Sequence, residues 1–216
     1  MARCPFAQWM PLPWTSGRYL SGPFKIVHHT TEGSTAQGAF DTYAKRHDIP
    51  HFTVDVTTIY QHVDTSIAVT ALAHPAGTVE TNRSSAVQLE LVGFAGKPKS
   101  KASLENVARL CRWIEETHDI PQEWPNGFPD PPKNGHDPGH HNRNETNWRT
   151  KGGHYGHCHV PVNDHWDPAY TKEETDFVMS FTPVEGMKLV AEKAQLPSMG
   201  RKVAAVRRTP KKTKTA

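Results

Sequence analysis

The sequence has no run of about 18 consecutive apolar residues, so no segment reads as a membrane-spanning helix. Its first twenty residues also lack the continuous apolar core of a secretory leader, being interrupted by Pro5, Pro11 and Pro13. The expectation is a protein that works in the cytoplasm, or that leaves it by lysis or a non-classical export route. Cysteine is scarce. Cys4, Cys111 and Cys158 are odd in number and stand at unrelated spacings, which argues against a disulfide framework. Most of the chain also lacks a basic surplus: seven Lys/Arg and no acid lie between Pro197 and Ala216, and the remainder carries 18 basic against 22 acidic residues. The net charge of +3 therefore belongs to the tail. With no aromatic residues among its charges, the tail lacks the means for specific nucleic-acid recognition, and attraction to anionic wall polymers is the simpler expectation.

What is present suits one domain with appendages. A chain of 216 residues, 36% hydrophobic, with 18 prolines and 15 glycines, reads as a loop-rich globular protein. Residues 1–23 mix aromatics and prolines without periodicity and read as an extended segment. A domain follows over 24–196, with a long Pro/Gly/Asn/His-rich loop at 124–153, and residues 197–216 form a tail expected to be disordered.

Within the domain, Phe24 to His28 reads as a buried strand. A helix is expected from an N-cap at Ser34 to about His47, with Ala36, Ala39, Phe40, Tyr43 and Ala44 on one face. Residues 51–56 and 59–63 alternate as a hairpin, and 86–94 reads as a central strand in which Glu90 is costly to bury unless paired or set in a cleft. Ser103 to Thr117 has the clearest helical period, with Cys111 on its apolar face, and a helix is expected over 171–181 behind Thr171. Residues 184–195 extend that helical pattern.

Chemistry concentrates in Gly156–Pro168. Between positions 157 and 167 the chain sets His157, Cys158, His159, Asp164, His165 and Asp167, side chains that bind a divalent transition metal such as zinc. A catalytic zinc takes three protein ligands and one water, so another segment supplying an imidazole is expected. The His28-His29 pair at the end of the first core strand is the natural candidate. His136, His140 and His141 form a weaker one within the long loop.

Four stretches in this order carry a resemblance: Ile-Val-His-His-Thr at 26–30, His-Phe-Thr-Val-Asp at 51–55, Asn82 followed by Val-Gln-Leu-Glu-Leu-Val-Gly at 87–93, and Gly-His-Cys-His-Val-Pro-Val-Asn-Asp-His-Trp-Asp-Pro at 156–168. Over residues 24–182 the chain resembles the zinc-dependent N-acetylmuramoyl-L-alanine amidases, which include phage endolysins, muropeptide-recycling amidases and peptidoglycan recognition proteins. The resemblance implies an α/β fold with a central mixed β-sheet flanked by helices. It implies one Zn2+ held by His28, His157 and Asp167, with Glu90 as the catalytic carboxylate and His165 near the scissile carbonyl. On strand parity, His29 and His159 then face away from the metal, and Cys158 is a supporting residue. His51, His74 and Asn82 are expected to contact substrate. Pro50 stands where some members carry a catalytic tyrosine, and Ala169 where glycine follows Asp-Pro. The implied reaction is hydrolysis of the amide between the lactyl group of N-acetylmuramic acid and L-alanine, in peptidoglycan or muropeptides. The alternative is an inactive peptidoglycan-binding protein of the same fold.

Overall fold

A computed structural model describes residues 2–20 and 22–183. The helical pattern at 184–195 and the basic tail lie outside the described residues.

Six strands form one mixed sheet: β1 (Gln8–Trp9), β2 (Lys25–Thr30), β3 (Phe52–Val54), β4 (Ile59–Gln61), β5 (Ala86–Leu91) and β6 (Gly153–Gly156), in the order β1-β4-β3-β5-β2-β6. Only β3 and β4 pair antiparallel, as a hairpin; the other neighbours are parallel. The N-terminal segment joins the sheet edge through β1, and β5 is interior, as its apolar run predicts. Both faces of β2 and β5 are covered, which is the usual condition of parallel strands.

The faces differ in chemistry. On one lie Ile26, Phe52, Val54, Val87, Leu89 and Leu91, packed against helix α2 (Lys101–His118) through Leu104, Val107, Leu110, Cys111 and Ile114, with helix α4 (Lys172–Ser180) adding Val178. Alternate positions on the same strands, Val27, His29, Gln88 and Glu90, turn to the other face. There, Val27 and Ala86 pack with Leu72, Trp148, Tyr155 and Val160. Helix α1 (Ala36–Arg46) contributes Ala39 and Tyr43 to a third cluster beside them.

The helix ends follow their caps. Thr35, not Ser34, caps α1 by accepting from the Gly38 amide, and His47 closes it in the left-handed region. Thr171 and Glu174 form a capping box on α4. The long loop is not wholly irregular: Asn144 caps a one-and-a-half-turn helix, α3 (Glu145–Thr150), whose Trp148 is fully buried and donates its indole N–H to the Glu80 carbonyl at 2.9 Å. β6 and α3, like the two-residue β1, are too short for periodicity in the sequence to register.

Candidate active site

Parallel pairing sets the site. In the β2–β5 ladder His28 is opposite Leu89 and His29 is opposite Glu90. The apolar partner shares the α2 face, and the acidic partner shares the other. His28 therefore points into the core beneath the sheet, while His29 points to the face where the 156–168 segment folds over.

That segment leaves β6 as a 3₁₀ turn, His157–His159, and returns to put Asp167 beside it, the Cys158 amide donating to the Asp167 carbonyl at 3.0 Å. His29 Nδ1 stands 3.0 Å from His157 Nδ1, His157 Nδ1 stands 3.3 Å from Asp167 Oδ1, and His29 Nδ1 stands 3.7 Å from Asp167 Oδ2. The Thr30 backbone N–H donates to Asp167 Oδ2 at 3.0 Å and fixes the carboxylate. All three residues are buried, and they line one wall of a cavity of about 420 Å³ that also takes in Glu90, His165 and Tyr43.

The placement of His28 corrects the ligand set expected from the sequence: the structure gathers His29, not His28, with His157 and Asp167. Strand parity does separate the two histidines, and the β2–β5 register turns His29 rather than His28 to the cavity. His28 Nε2 lies 2.9 Å from His154 Nδ1, and His28 Nδ1 lies 3.4 Å from the Tyr170 hydroxyl. His154 Nε2 in turn reaches Glu115 Oε1 at 2.8 Å, and Glu115 is held by Arg112 at 2.6 Å. Each ring in this chain can accept on one side and donate on the other, so the cluster is satisfied by hydrogen bonds alone. Cys111 Sγ, 3.9 Å from His28 Nε2, completes a second donor group. Its members are fully buried in the core, where no substrate reaches.

The other expected site residues divide. Glu90 and His165 line the cavity; His51, His74 and Asn82 do not. His51 is fully buried and spends both ring nitrogens on the fold: Nε2 is 2.9 Å from the Ile67 carbonyl, and Nδ1 accepts the Gln88 amide at 3.0 Å. Asn82 is also buried, its amide taken by Leu72 and Gln88. His74 turns outward and sits 3.6 Å from Glu80. In the long loop His141 is tied to Asp130 and Asp137, and His136 to a bridge with Lys133, so the loop histidines do not converge.

Electrostatics sharpen the picture. Burial pushes the Glu90 carboxyl well above the usual carboxylate range, with Asp167 and Glu32 adding to it. Glu90 Oε2, at the cavity wall, is buried with no hydrogen-bond partner among the described residues. Burial also opposes charge on Asp167, yet the neighbouring imidazoles of His157, His165 and His29 hold its carboxyl far below the ordinary range. Burial lowers His29 to about 3, keeping the ring neutral, as a metal ligand must be. His165 is mostly exposed and stacks on His157 with ring centroids 4.3 Å apart. The Asp167 carboxylate raises its pKa.

The residues fit zinc. In a four-coordinate site with bonds of about 2.0–2.1 Å, ligand atoms stand about 3.3 Å apart, and the three separations above bracket that value. A His₂Asp set opening onto a cavity leaves a fourth position for water or substrate.

The fold has counterparts among solved structures. A hydrolase of Staphylococcus aureus, AmiA, solved with its ligand, aligns with a TM-score of 0.55 at 14% identity, covering 82% of each chain. The Clostridium intestinale endolysin LysCS, an N-acetylmuramoyl-L-alanine amidase, aligns at 0.52 and 14% identity over 84% of this chain and all of its own. AmpD aligns at 0.50 and 12% identity over 82% of this chain and 98% of its own. At such identities the likeness establishes the fold. No curated protein sequence matches. A family model does match, over residues 22–170, taking in β2 through the Asp167 ligand candidate, and by that match the chain belongs to the N-acetylmuramoyl-L-alanine amidase family.

Proposed function

We propose that this chain is a zinc-dependent hydrolase that cleaves the amide bond between the lactyl group of N-acetylmuramic acid and L-alanine, in peptidoglycan or muropeptides released from it. The observation that supports this most strongly is the convergence of His29, His157 and Asp167 beside Glu90 at the mouth of one cavity. Family membership supplies the bond.

Zinc, when bound, lowers the pKa of a coordinated water towards about 7 and polarises a carbonyl oxygen. Asp167, anchored by the Thr30 amide, and the imidazoles of His29 and His157 would hold the metal. Glu90, whose carboxyl has an affinity for protons raised by burial, takes a proton from the attacking water and delivers it to the nitrogen of the leaving L-alanine. His165, exposed at the rim and biased towards its protonated form by Asp167, donates an N–H to the oxygen of the tetrahedral intermediate. Tyr43 lines the same cavity as Glu90. The tail, by its charge, would hold the enzyme near anionic wall polymers.

The test is to incubate the purified protein with peptidoglycan, with and without a chelator, and to identify the products by mass. Stem peptides beginning with L-alanine, absent when chelator is added and absent with His157→Ala, are expected. Cleavage by metal-free protein would overturn the zinc mechanism.

A further inference from the structure

An imidazole can ligate a metal only through a nitrogen that carries a lone pair, and which nitrogen that is depends on the hydrogen bond the other one makes. In most chains that second partner is a carboxylate or a carbonyl. Here the polarity can be traced back to backbone groups whose direction is not in question.

Two consecutive residues in the loop before β5, Leu72 and Ala73, each present a peptide N–H and C=O to an asparagine. Asn82 Oδ1 accepts from the Leu72 N–H at 3.0 Å while its Nδ2 donates to the Leu72 carbonyl at 2.7 Å. Asn163 Oδ1 accepts from the Ala73 N–H at 3.0 Å while its Nδ2 donates to the carbonyls of Ala73 at 3.2 Å and Pro161 at 2.9 Å. A peptide N–H only donates and a C=O only accepts, so neither amide can be flipped without losing its bonds.

From each asparagine the polarity passes to one histidine. Asn163 Oδ1 is fixed as an acceptor and lies 3.0 Å from His157 Nε2, so that nitrogen carries the proton and Nδ1 carries the lone pair. Asn82 Oδ1, equally fixed, receives Gln88 Nε2 at 2.9 Å, which turns Gln88 Oε1 the other way. Gln88 on β5 and His29 on the adjacent β2 share one face of the sheet. Gln88 Oε1 and His29 Nε2 are both buried, and neither has a hydrogen-bond partner among the described residues. A proton on His29 Nε2 would serve both unpaired atoms and leave the lone pair on Nδ1.

The two Nδ1 atoms that result face each other at 3.0 Å with Asp167 beside both. Two lone pairs at that separation repel unless a cation stands between them. The contrast with the core chain is direct: His28 and His154 also meet at 2.9 Å, but there donor faces acceptor throughout.

We infer that Asn163 and the Gln88–Asn82 pair are positioning residues that read the fixed polarity of the Leu72–Ala73 backbone and force both histidines to present Nδ1 to the metal. The inference rests on the proposed metal site but not on the identity of the bond cleaved. It also separates the two buried histidine clusters, assigning one metal ion per chain, at His29–His157–Asp167.

The experiment uses the full chain loaded with zinc. Long-range ¹H–¹⁵N imidazole spectra should show His29 and His157 protonated at Nε2 and metallated at Nδ1; metallation at Nε2 of either ring would overturn the inference. Zinc affinity, measured by competition with a chromophoric chelator, should fall about 10- to 100-fold in Asn163→Leu and in Gln88→Met, both close in size to the residues they replace. Cys111→Ser should bind one equivalent with unchanged affinity. Unchanged affinity in both amide variants, or two equivalents in the parent chain, would reject the inference. If a variant fails to fold, the spectra of the parent chain decide. A chain that behaves as described but releases no stem peptide would keep this inference and overturn the proposed function.

Discussion

Thermal melts with and without zinc distinguish the two adjacent histidines. If zinc binds only the folded chain, a free concentration 100 times Kd stabilises it by about 2.7 kcal/mol. For a chain of this size each kcal/mol moves the melting temperature by roughly 2–4 °C, giving a rise of about 5–11 °C. His29→Ala removes a donor from the cavity wall and should abolish the rise. His28→Ala acts differently. It strands the Tyr170 hydroxyl and His154 Nδ1, which His28 now joins at 3.4 and 2.9 Å, and opens a void in a fully buried position. Unpaired buried groups cost about 1–3 kcal/mol each, so a loss of about 3–5 kcal/mol is expected, roughly 6–20 °C. The variant should nevertheless keep its response to zinc. Differential scanning fluorimetry on metal-stripped protein reads both effects. Loss of the zinc response in His28→Ala with its retention in His29→Ala would refute the assignment.

Three other outcomes follow from particular groups. Glu90→Gln should lower kcat by about 10²–10⁴-fold while leaving the zinc-induced rise in melting temperature intact, since the amide keeps the volume but cannot shuttle the proton; unimpaired turnover would exclude Glu90 as the catalytic base. Lys25 is buried, its ammonium donating to the carbonyls of Pro23 and Ser84 near the Trp148 ring, and burial lowers its pKa to about 7. Between that value and the unfolded lysine pKa the unfolded chain binds the extra proton, so stability should rise with pH across about 7–10, by at most about 1.4 kcal/mol per unit; urea midpoints of Lys25→Met should lack that part of the slope, and parallel curves would contradict it. Deleting residues 197–216 should weaken adsorption to cell walls at low salt and spare turnover of a soluble muropeptide, and equal loss on both substrates would reject a wall-attracting tail.

Much of the fold was legible because its longer elements announce themselves. The α2 face from Leu104 to Ile114, the hairpin at 52–61 and the apolar run of β5 each carry a period that only one kind of element satisfies. Short elements do not: β6 has four residues and α3 six, and each is held by tertiary contacts such as the burial of Trp148. Glu90, His157, His165 and Asp167, singled out by the chemistry of a compact motif and by resemblance, line one cavity. The choice between His28 and His29 needed the β2–β5 register, because β2 is buried on both faces and its own alternation says nothing about which face meets the cavity. One clue existed in the sequence: β5 alternates apolar Val87, Leu89 and Leu91 with polar Gln88 and Glu90. Asn82, Gln88 and Asn163 were beyond reach for a different reason, since their part depends on which way an amide points.

The most direct test of the central claim is hydrolysis of a soluble muramyl peptide in H₂¹⁸O by the zinc-loaded chain, with products resolved by mass. The account predicts one ¹⁸O in the lactyl carboxylate of the sugar fragment and an unlabelled peptide with a free L-alanine amino terminus, both lost on chelation and in His29→Ala. Label in a peptide carboxylate, or labelled product from metal-free protein, would contradict it.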